Sequence, residues 1–514
     1  VTDKIKNERY ASLLILAFFY TFISYIPFNA HDLCDDYNIS KSLSVKKFIW
    51  EFSGSFILSY VFFYALSIHK IIFIIGTIFI FVISGLVCYF SFFHHIKLDQ
   101  NTISLFFETN FSESFSFINI TMVVWLLVYI ALGAVFTRKQ KLATDSKKSF
   151  LCWCFILSIT FFNGDIISAK YFPYNLLKES KEYFFNKSMK KYDISTNVFT
   201  TDNKTQDLNI ILVLGESARA DHFGLNNYDR NTTPNLEKIP GLLNFKDVSS
   251  CGILTRDSVP CILTRATKEN ISLKETSLIS VFKKLGYYTN WIGIQGTFSV
   301  IDSPLSLVAK EADKTTLVDT EFYLINDALD EEAFPFFDDF LKKPGNKLSV
   351  IHSFGSHHHY DNRYTDNFRQ FIPVCKKRFF HGLLSEKFGM SHCSDAEIIN
   401  SYDNSILYTD YFLSGLISKI KDKNALFIYV SDHGESLGEN GIYLHGLNWV
   451  KEQTHVPLII YATDKFKENY PEKFNNIAKK QNNILSQDYI FHSILDCASI
   501  YSEIIDKKLS LCSP

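Results

Sequence analysis

A chain of 514 residues has the length of two or three domains, and 52 basic against 54 acidic side chains leave a net charge of −2. That balance, with no basic tract resembling a binding arm, argues against a nucleic-acid partner. The mean hydropathy of +0.03 looks ordinary only because it averages two unlike parts. Residues 1–168 are dominated by Phe, Ile, Leu, Tyr and Val, whereas 169–514 read as soluble protein.

Five apolar segments come first: 11–29, 52–68, 71–93, 117–137 and 149–164. An uncharged run of about 20 residues crosses the hydrocarbon core as a helix. The third has no charge in 23 residues, too long for a core helix of a soluble domain, and the fifth is the shortest. A cleaved signal peptide at 11–29 is disfavoured, because no small-residue cleavage site follows and further hydrophobic segments do. A membrane domain of five helices is therefore expected over 1–168. Lys4, Lys6, Arg9 and Lys70 would face the cytoplasm together with Arg138, Lys139, Lys141, Lys147 and Lys148, while Lys41, Lys46 and Lys47 run against this orientation. With the N-terminus inside, five spans place the C-terminal part outside the cytoplasm.

That placement bears on the ten cysteines. Cys88, Cys152 and Cys154 lie within spans and read as apolar packing. Cys251, Cys261, Cys375, Cys393, Cys497 and Cys512 lie in the exported part, where disulfides persist. Six cysteines allow fifteen pairings. Nearest-neighbour pairing joins Cys251 to Cys261, Cys375 to Cys393 and Cys497 to Cys512, and only the first has a loop short enough to stand out.

Residues 169–207, rich in aromatics and lysines, suit an interfacial helix, with a plain solvated linker as the alternative. Beyond them, β-rich apolar runs at 209–215, 348–355, 425–434 and 456–462 fit strands buried on both faces of a mostly parallel sheet. Residues 395–421 read as a long amphipathic helix. The expected domain over 208–514 is α/β, with helices on both faces. In such sheets, ligands gather beyond the carboxyl ends of the strands.

Those ends carry chemistry. The first run stops on Glu216, and the third on Asp432 and His433, with His445 twelve residues on. The second stops on His352 and is followed by His357, His358 and His359. Each alone has an ordinary reading, as a helix-cap neighbour or an exposed histidine. Together on one sheet edge they point to a divalent-metal site. Thr255, inside the segment "SSCGILTRDSVPC", has no adjacent histidine base; coordination to a metal would lower its pKa. Glu216, Asp432, His433 and the Thr255 oxygen would make a four-coordinate zinc site, and a Cys251–Cys261 ring would hold the nucleophile against it.

The stretches "GESARADHFGLNNYDRNTTPNL" (215–236), "SCGILTRDSVPC" (250–261), "GSHHHY" (355–360), "SYDNSILYTD" (401–410) and "SDHGESLGENGIYLHG" (431–446) resemble the membrane-bound phosphoethanolamine transferases that decorate lipopolysaccharide. These belong to the alkaline-phosphatase/sulfatase superfamily, and the resemblance covers essentially the whole chain. It implies an alkaline-phosphatase/sulfatase-like α/β/α domain in the periplasm, anchored in the bacterial inner membrane. It makes Thr255 the acceptor of phosphoethanolamine from phosphatidylethanolamine. Glu216, Asp432 and His433 become zinc ligands, with Thr255 the fourth and a second ion an option. His357 and His445 would contact the phosphate, and Thr109 and Glu113, in "FFETNFSES", the ethanolamine ammonium. Diacylglycerol would leave, and a lipid A phosphate or core sugar would then take the group. A monomer is expected.

Two stretches depart from the lipid A-directed members. "NWIGIQGTFSV" (290–300) replaces an Asn-Asn-Ser…Lys segment, and His358 and His359 stand where a Gly-Pro follows the histidine. "WIGIQG" is similar to members acting on heptose or Kdo, so the acceptor stays open. A glycerol-phosphate polymerase of the same plan, a non-catalytic sulfatase-like membrane sensor and a soluble-substrate sulfatase are the alternatives. The paired cysteines, the intact Glu216, Thr255, Asp432 and His433, and the lack of a Cys/Ser-x-Pro-x-Arg motif disfavour them in turn.

Overall fold

A computed structural model describes residues 2–39, 41–94, 120–139, 146–162, 198–201, 207–270, 277–294, 304–318, 328–376, 393–446 and 449–514, with a few isolated positions between 94 and 198. These fall into two compact units, a helical one from the first 189 residues and an α/β one whose main body is Lys190–Pro514.

The helical unit contains α1 (Thr2–Ile39), α2 (Lys41–Leu66), α3 (Lys70–His94), α4 (Ile120–Lys139) and α5 (Ser146–Phe162). Apolar side chains such as Ile15, Phe79, Leu127 and Leu151 remain exposed, as a lipid-facing surface requires. Inside, polar groups pair across helices: the Tyr20 and Ser84 hydroxyls meet at 2.6 Å, and Tyr25 donates to Glu51 at 2.9 Å. Among the described residues, four helices are long and apolar enough to cross a membrane, not the five expected. The segment not counted is α5, of which 17 residues are described, a rise of about 25 Å.

The α/β unit is built on β1 (Leu208–Gly215), β2 (Leu243–Phe245), β3 (Val248–Ser249), α6 (Thr255–Leu263), β4 (Tyr288–Gly293), β5 (Lys314–Leu317), β6 (Lys347–His352), α7 (Asp395–Ile420), β7 (Asn424–Ser431), β8 (Leu458–Ala462), β9 (Leu485–Ser486) and α8 (Asp488–Cys497). Seven of these strands form one sheet in the order β2-β8-β7-β1-β6-β4-β5. The strands from β7 to β5 run parallel, but β8 is antiparallel to both β7 and β2. The sheet is therefore mixed rather than mostly parallel. An apolar run such as 456–462 specifies burial on both faces and carries no information on strand direction.

Successive residues of the central strands feed opposite layers. Ile210, Leu212, Leu426 and Ile428 enter one core, while Ile211, Val213, Phe427 and Tyr429 enter the other. Register then places the chemistry. Gly215 stands opposite Ser431, and Leu214 opposite His352, so β1, β7 and β6 end level with one another.

Candidate active site

The chain leaves β1 at Glu216 and turns at Ser217, whose φ of +57° is uncommon for a residue with a Cβ. Three bonds hold that turn. The Ser217 N–H donates to Asp432 Oδ1 at 3.2 Å, its hydroxyl donates to Glu216 Oε1 at 2.9 Å, and its carbonyl accepts the Tyr402 hydroxyl at 2.7 Å. Tyr402 lies on α7 within "SYDNSILYTD" and also accepts the Arg219 N–H at 2.9 Å. Its neighbour Asp403 accepts from His222, Tyr228 and Arg230. That motif thus anchors the segment following β1.

Gly355 closes the other side. Its φ is +52°, and a Cβ there would stand 2.7 Å from the Glu216 carbonyl oxygen and 3.0 Å from its nitrogen. Neither backbone atom can yield. Asp330 fixes the same turn, accepting the Phe354 and Gly355 N–H groups at 2.6 and 3.0 Å. Burial raises the Asp330 carboxyl to about 6. Gly355→Ala is expected to cost about 2–4 kcal/mol through strain at positive φ and the forced clash. Denaturant unfolding of the variant checks this; a loss below 1 kcal/mol would show that the turn relaxes.

Thr255 is the first residue of α6, where the helix dipole favours negative charge. The Cys251 and Cys261 sulfurs are bonded, tying the loop before Thr255 to the helix after it. The Cys375–Cys393 and Cys497–Cys512 pairs are also joined. Thr255 Oγ1 donates to Glu216 Oε2 at 3.1 Å and lies 3.4 Å from His433 Nε2. His433 Nε2 is in turn 3.4 Å from Glu216 Oε1 and 3.3 Å from Asp432 Oδ2.

The donor set fits a metal ion. His433 Nδ1 pairs with the Gly434 carbonyl at 2.9 Å, so it carries the proton and Nε2 presents its lone pair. Burial presses the His433 imidazolium down to about 4, keeping the ring neutral. Asp432 Oδ1 accepts two N–H groups, from Ser217 and His433, while its fully buried Oδ2 has no hydrogen-bond partner. Burial and the neighbouring Glu216 charge hold the Asp432 carboxyl well above its usual range. Buried carboxylates packed this closely call for a cation.

His445 also joins the cluster: its ligand atom lies within 4.8 Å of those of Glu216 and His433. His445 Nδ1 meets Glu435 Oε2 at 2.6 Å, and Glu435 Oε1 accepts the Tyr360 hydroxyl at 2.7 Å. Burial raises Glu435 to about 7. His357 lies further out, its ring 6.1 Å from that of His445, with Nδ1 on the His358 carbonyl at 2.7 Å. The structure thus brings Glu216, Thr255, Asp432 and His433 together, with His445 and then His357 beside them. Thr109 and Glu113 lie outside the described residues. Sequence reasoning passed over Glu435, Tyr402 and Asp330, although Glu435 and Tyr402 sit inside motifs already recognised.

A mixed α/β sheet with acidic and imidazole groups at three level strand ends defines a sulfatase-type domain, and the family model described as Sulfatase matches residues 208–500. The model described as Phosphoethanolamine transferase EptA/EptB matches residues 56–177. Phosphoethanolamine transferase EptA of Helicobacter pylori is 30% identical over 447 residues, 79% of this chain and 78% of that protein. The integral membrane lipooligosaccharide phosphoethanolamine transferase A of Neisseria meningitidis superposes with a TM-score of 0.74 over 98% of each chain, at 24% identity. The C-terminal periplasmic domain of EptC from Escherichia coli, in complex with Zn, gives 0.55 at 25% identity, covering 63% of this chain and 91% of that one. The chain belongs to the lipopolysaccharide phosphoethanolamine transferase family of the alkaline phosphatase superfamily, and it is an enzyme.

Proposed function

We propose that this enzyme transfers phosphoethanolamine from phosphatidylethanolamine to a lipopolysaccharide acceptor, a lipid A phosphate or a core sugar, through a covalent intermediate on Thr255. One observation carries the reading: Thr255 Oγ1 stands within 3.1 Å of Glu216 and 3.4 Å of His433, at the start of a helix. Glu216, Asp432, His433 and Thr255 would hold zinc, the ion their mixed oxygen and nitrogen donors suit. When bound, zinc supplies positive charge that favours an ionised threonine hydroxyl and screens the phosphate. The zinc complex of the related E. coli domain supports this choice.

Thr255 Oγ forms a bond to the donor phosphorus as the bond from phosphorus to the diacylglycerol oxygen breaks. The threonine proton passes to Glu216 Oε2, its acceptor in the structure. His445, oriented through Nδ1 by Glu435, gives a proton to the departing diacylglycerol oxygen, and His357 meets the phosphate oxygens. An acceptor oxygen then bonds to the same phosphorus as the bond from phosphorus to Thr255 Oγ breaks; the acceptor's proton passes to His445, and Thr255 takes its proton back from Glu216. Lipid substrates at both steps account for the joining of a catalytic domain from about 208 to a membrane part ending near 168, through 169–207. The three disulfides support placing the catalytic domain in the periplasm.

Incubating the full-length protein with phosphatidylethanolamine should add one phosphoethanolamine, mapped to Thr255 by peptide mass spectrometry. Wild-type protein with zinc bound that stays unmodified would overturn the reading. Glu435→Ala should slow adduct formation by about 10- to 100-fold, since it frees the His445 ring. It should also cost about 1–3 kcal/mol by leaving the Tyr360 hydroxyl unpaired. Single-turnover rates and thermal unfolding measure the two effects, and an unchanged rate would remove Glu435 from the mechanism.

A further inference from the structure

Gln487 is fully buried between β9 and α8, with no place in the chemistry described above. β9 lies parallel to β3, and β3 leads through Ser250 into the Cys251–Cys261 ring. At the end of this pair the Gln487 side chain reaches in two directions. Its Oε1 accepts the Cys251 N–H at 2.8 Å, while Nε2 donates to the Ser431 and Asp432 carbonyls at 2.7 Å each. The Gln487 N–H adds a bond to the Ser249 carbonyl at 3.0 Å. Both amide protons and the amide oxygen are thereby committed to the two segments that carry Thr255 and Asp432.

From Cys251 the constraint travels a short way to Thr255. The disulfide joins Cys251 to α6, and the Gly252 N–H donates to the Ser258 hydroxyl on α6 at 3.1 Å. A glutamine that merely satisfied a stray backbone group would engage one segment; this one bridges the nucleophile ring and the end of β7. We propose that Gln487 is a positioning residue that sets the separation of Thr255 from Asp432 without touching substrate. The inference rests on the reading of Thr255 as nucleophile beside Asp432. A displacement of about 1 Å at such a pair can cost about 100-fold in rate.

The test uses full-length protein in detergent with phosphatidylethanolamine, reading the single-turnover rate of adduct formation per bound zinc. Gln487→Met, similar in size and unable to make any of the three bonds, should lower that rate at least about 20-fold while the KM for the lipid moves less than about threefold. Gln487→Glu, which still accepts from Cys251 but turns a carboxylate oxygen toward the Ser431 and Asp432 carbonyls, should lose at least as much rate as Met. Thr463→Val is the control for stability alone. Thr463 is buried at the far end of β7, bonded to Ala425, and its loss should lower Tm without changing the rate. A rate within twofold of wild type in Gln487→Met overturns the proposal, as does an equal rate loss in Thr463→Val. If Gln487→Met does not fold, a rate within twofold of wild type in Gln487→Glu overturns it. Adduct persisting in Thr255→Ala would instead refute the underlying reading.

Discussion

Thr255→Ala should abolish adduct formation and lower phosphoethanolamine transfer by about 10³-fold or more, with thermal unfolding nearly unchanged. The side chain is half-buried and its hydroxyl meets only Glu216 and the neighbouring site groups, so its removal costs little packing. What it removes is the only hydroxyl placed within reach of both Glu216 and His433 among the described residues. Thr255→Ser should keep a fraction of the activity, because the oxygen survives while the methyl group that limits its rotamers does not. Mass spectrometry of each variant after exposure to phosphatidylethanolamine decides between a nucleophile and a bystander. Wild-type transfer rates in Thr255→Ala would eliminate the covalent route.

Much of this site is legible in the sequence, for a definite reason. A strand buried on both faces is a continuous apolar run, so the residue that interrupts it marks the strand's end. Glu216 and Asp432 were found that way, and the register of β1 with β7 brings them together. Direction is not written in such a run, so β8, expected within a mostly parallel sheet, runs antiparallel to β7. β4 and the edge strand β5 are not legible either, because "YTNWIG" and "KTTL" interleave polar residues with few apolar ones. Gln487 and Glu435 were illegible for another reason. Gln487 meets a partner 236 positions away, and a spacing pattern records only local neighbours. Glu435 lay in view inside "SDHGES", but nothing in the string shows its carboxylate shared between Tyr360 and His445.

Asp432→Asn should leave purified protein with little zinc and with transfer reduced by about 10²-fold or more, while raising stability in the metal-free state. The expectation follows from the two oxygens of one carboxylate. Oδ1 is committed to the Ser217 and His433 N–H groups and anchors the turn after β1 to the end of β7. Oδ2 is buried without a hydrogen-bond partner, 3.3 Å from His433 Nε2, in a pocket where Glu216 adds like charge. An amide keeps an oxygen for the two N–H donors and puts a neutral NH₂ where Oδ2 stood. Charge repulsion with Glu216 is relieved, so the apo protein gains, while a cation loses one anionic ligand. Metal analysis and unfolding with and without chelator separate these two effects. Full zinc content in Asp432→Asn would remove Asp432 from the ligand set and leave Glu216, His433 and His445 as the candidate cluster.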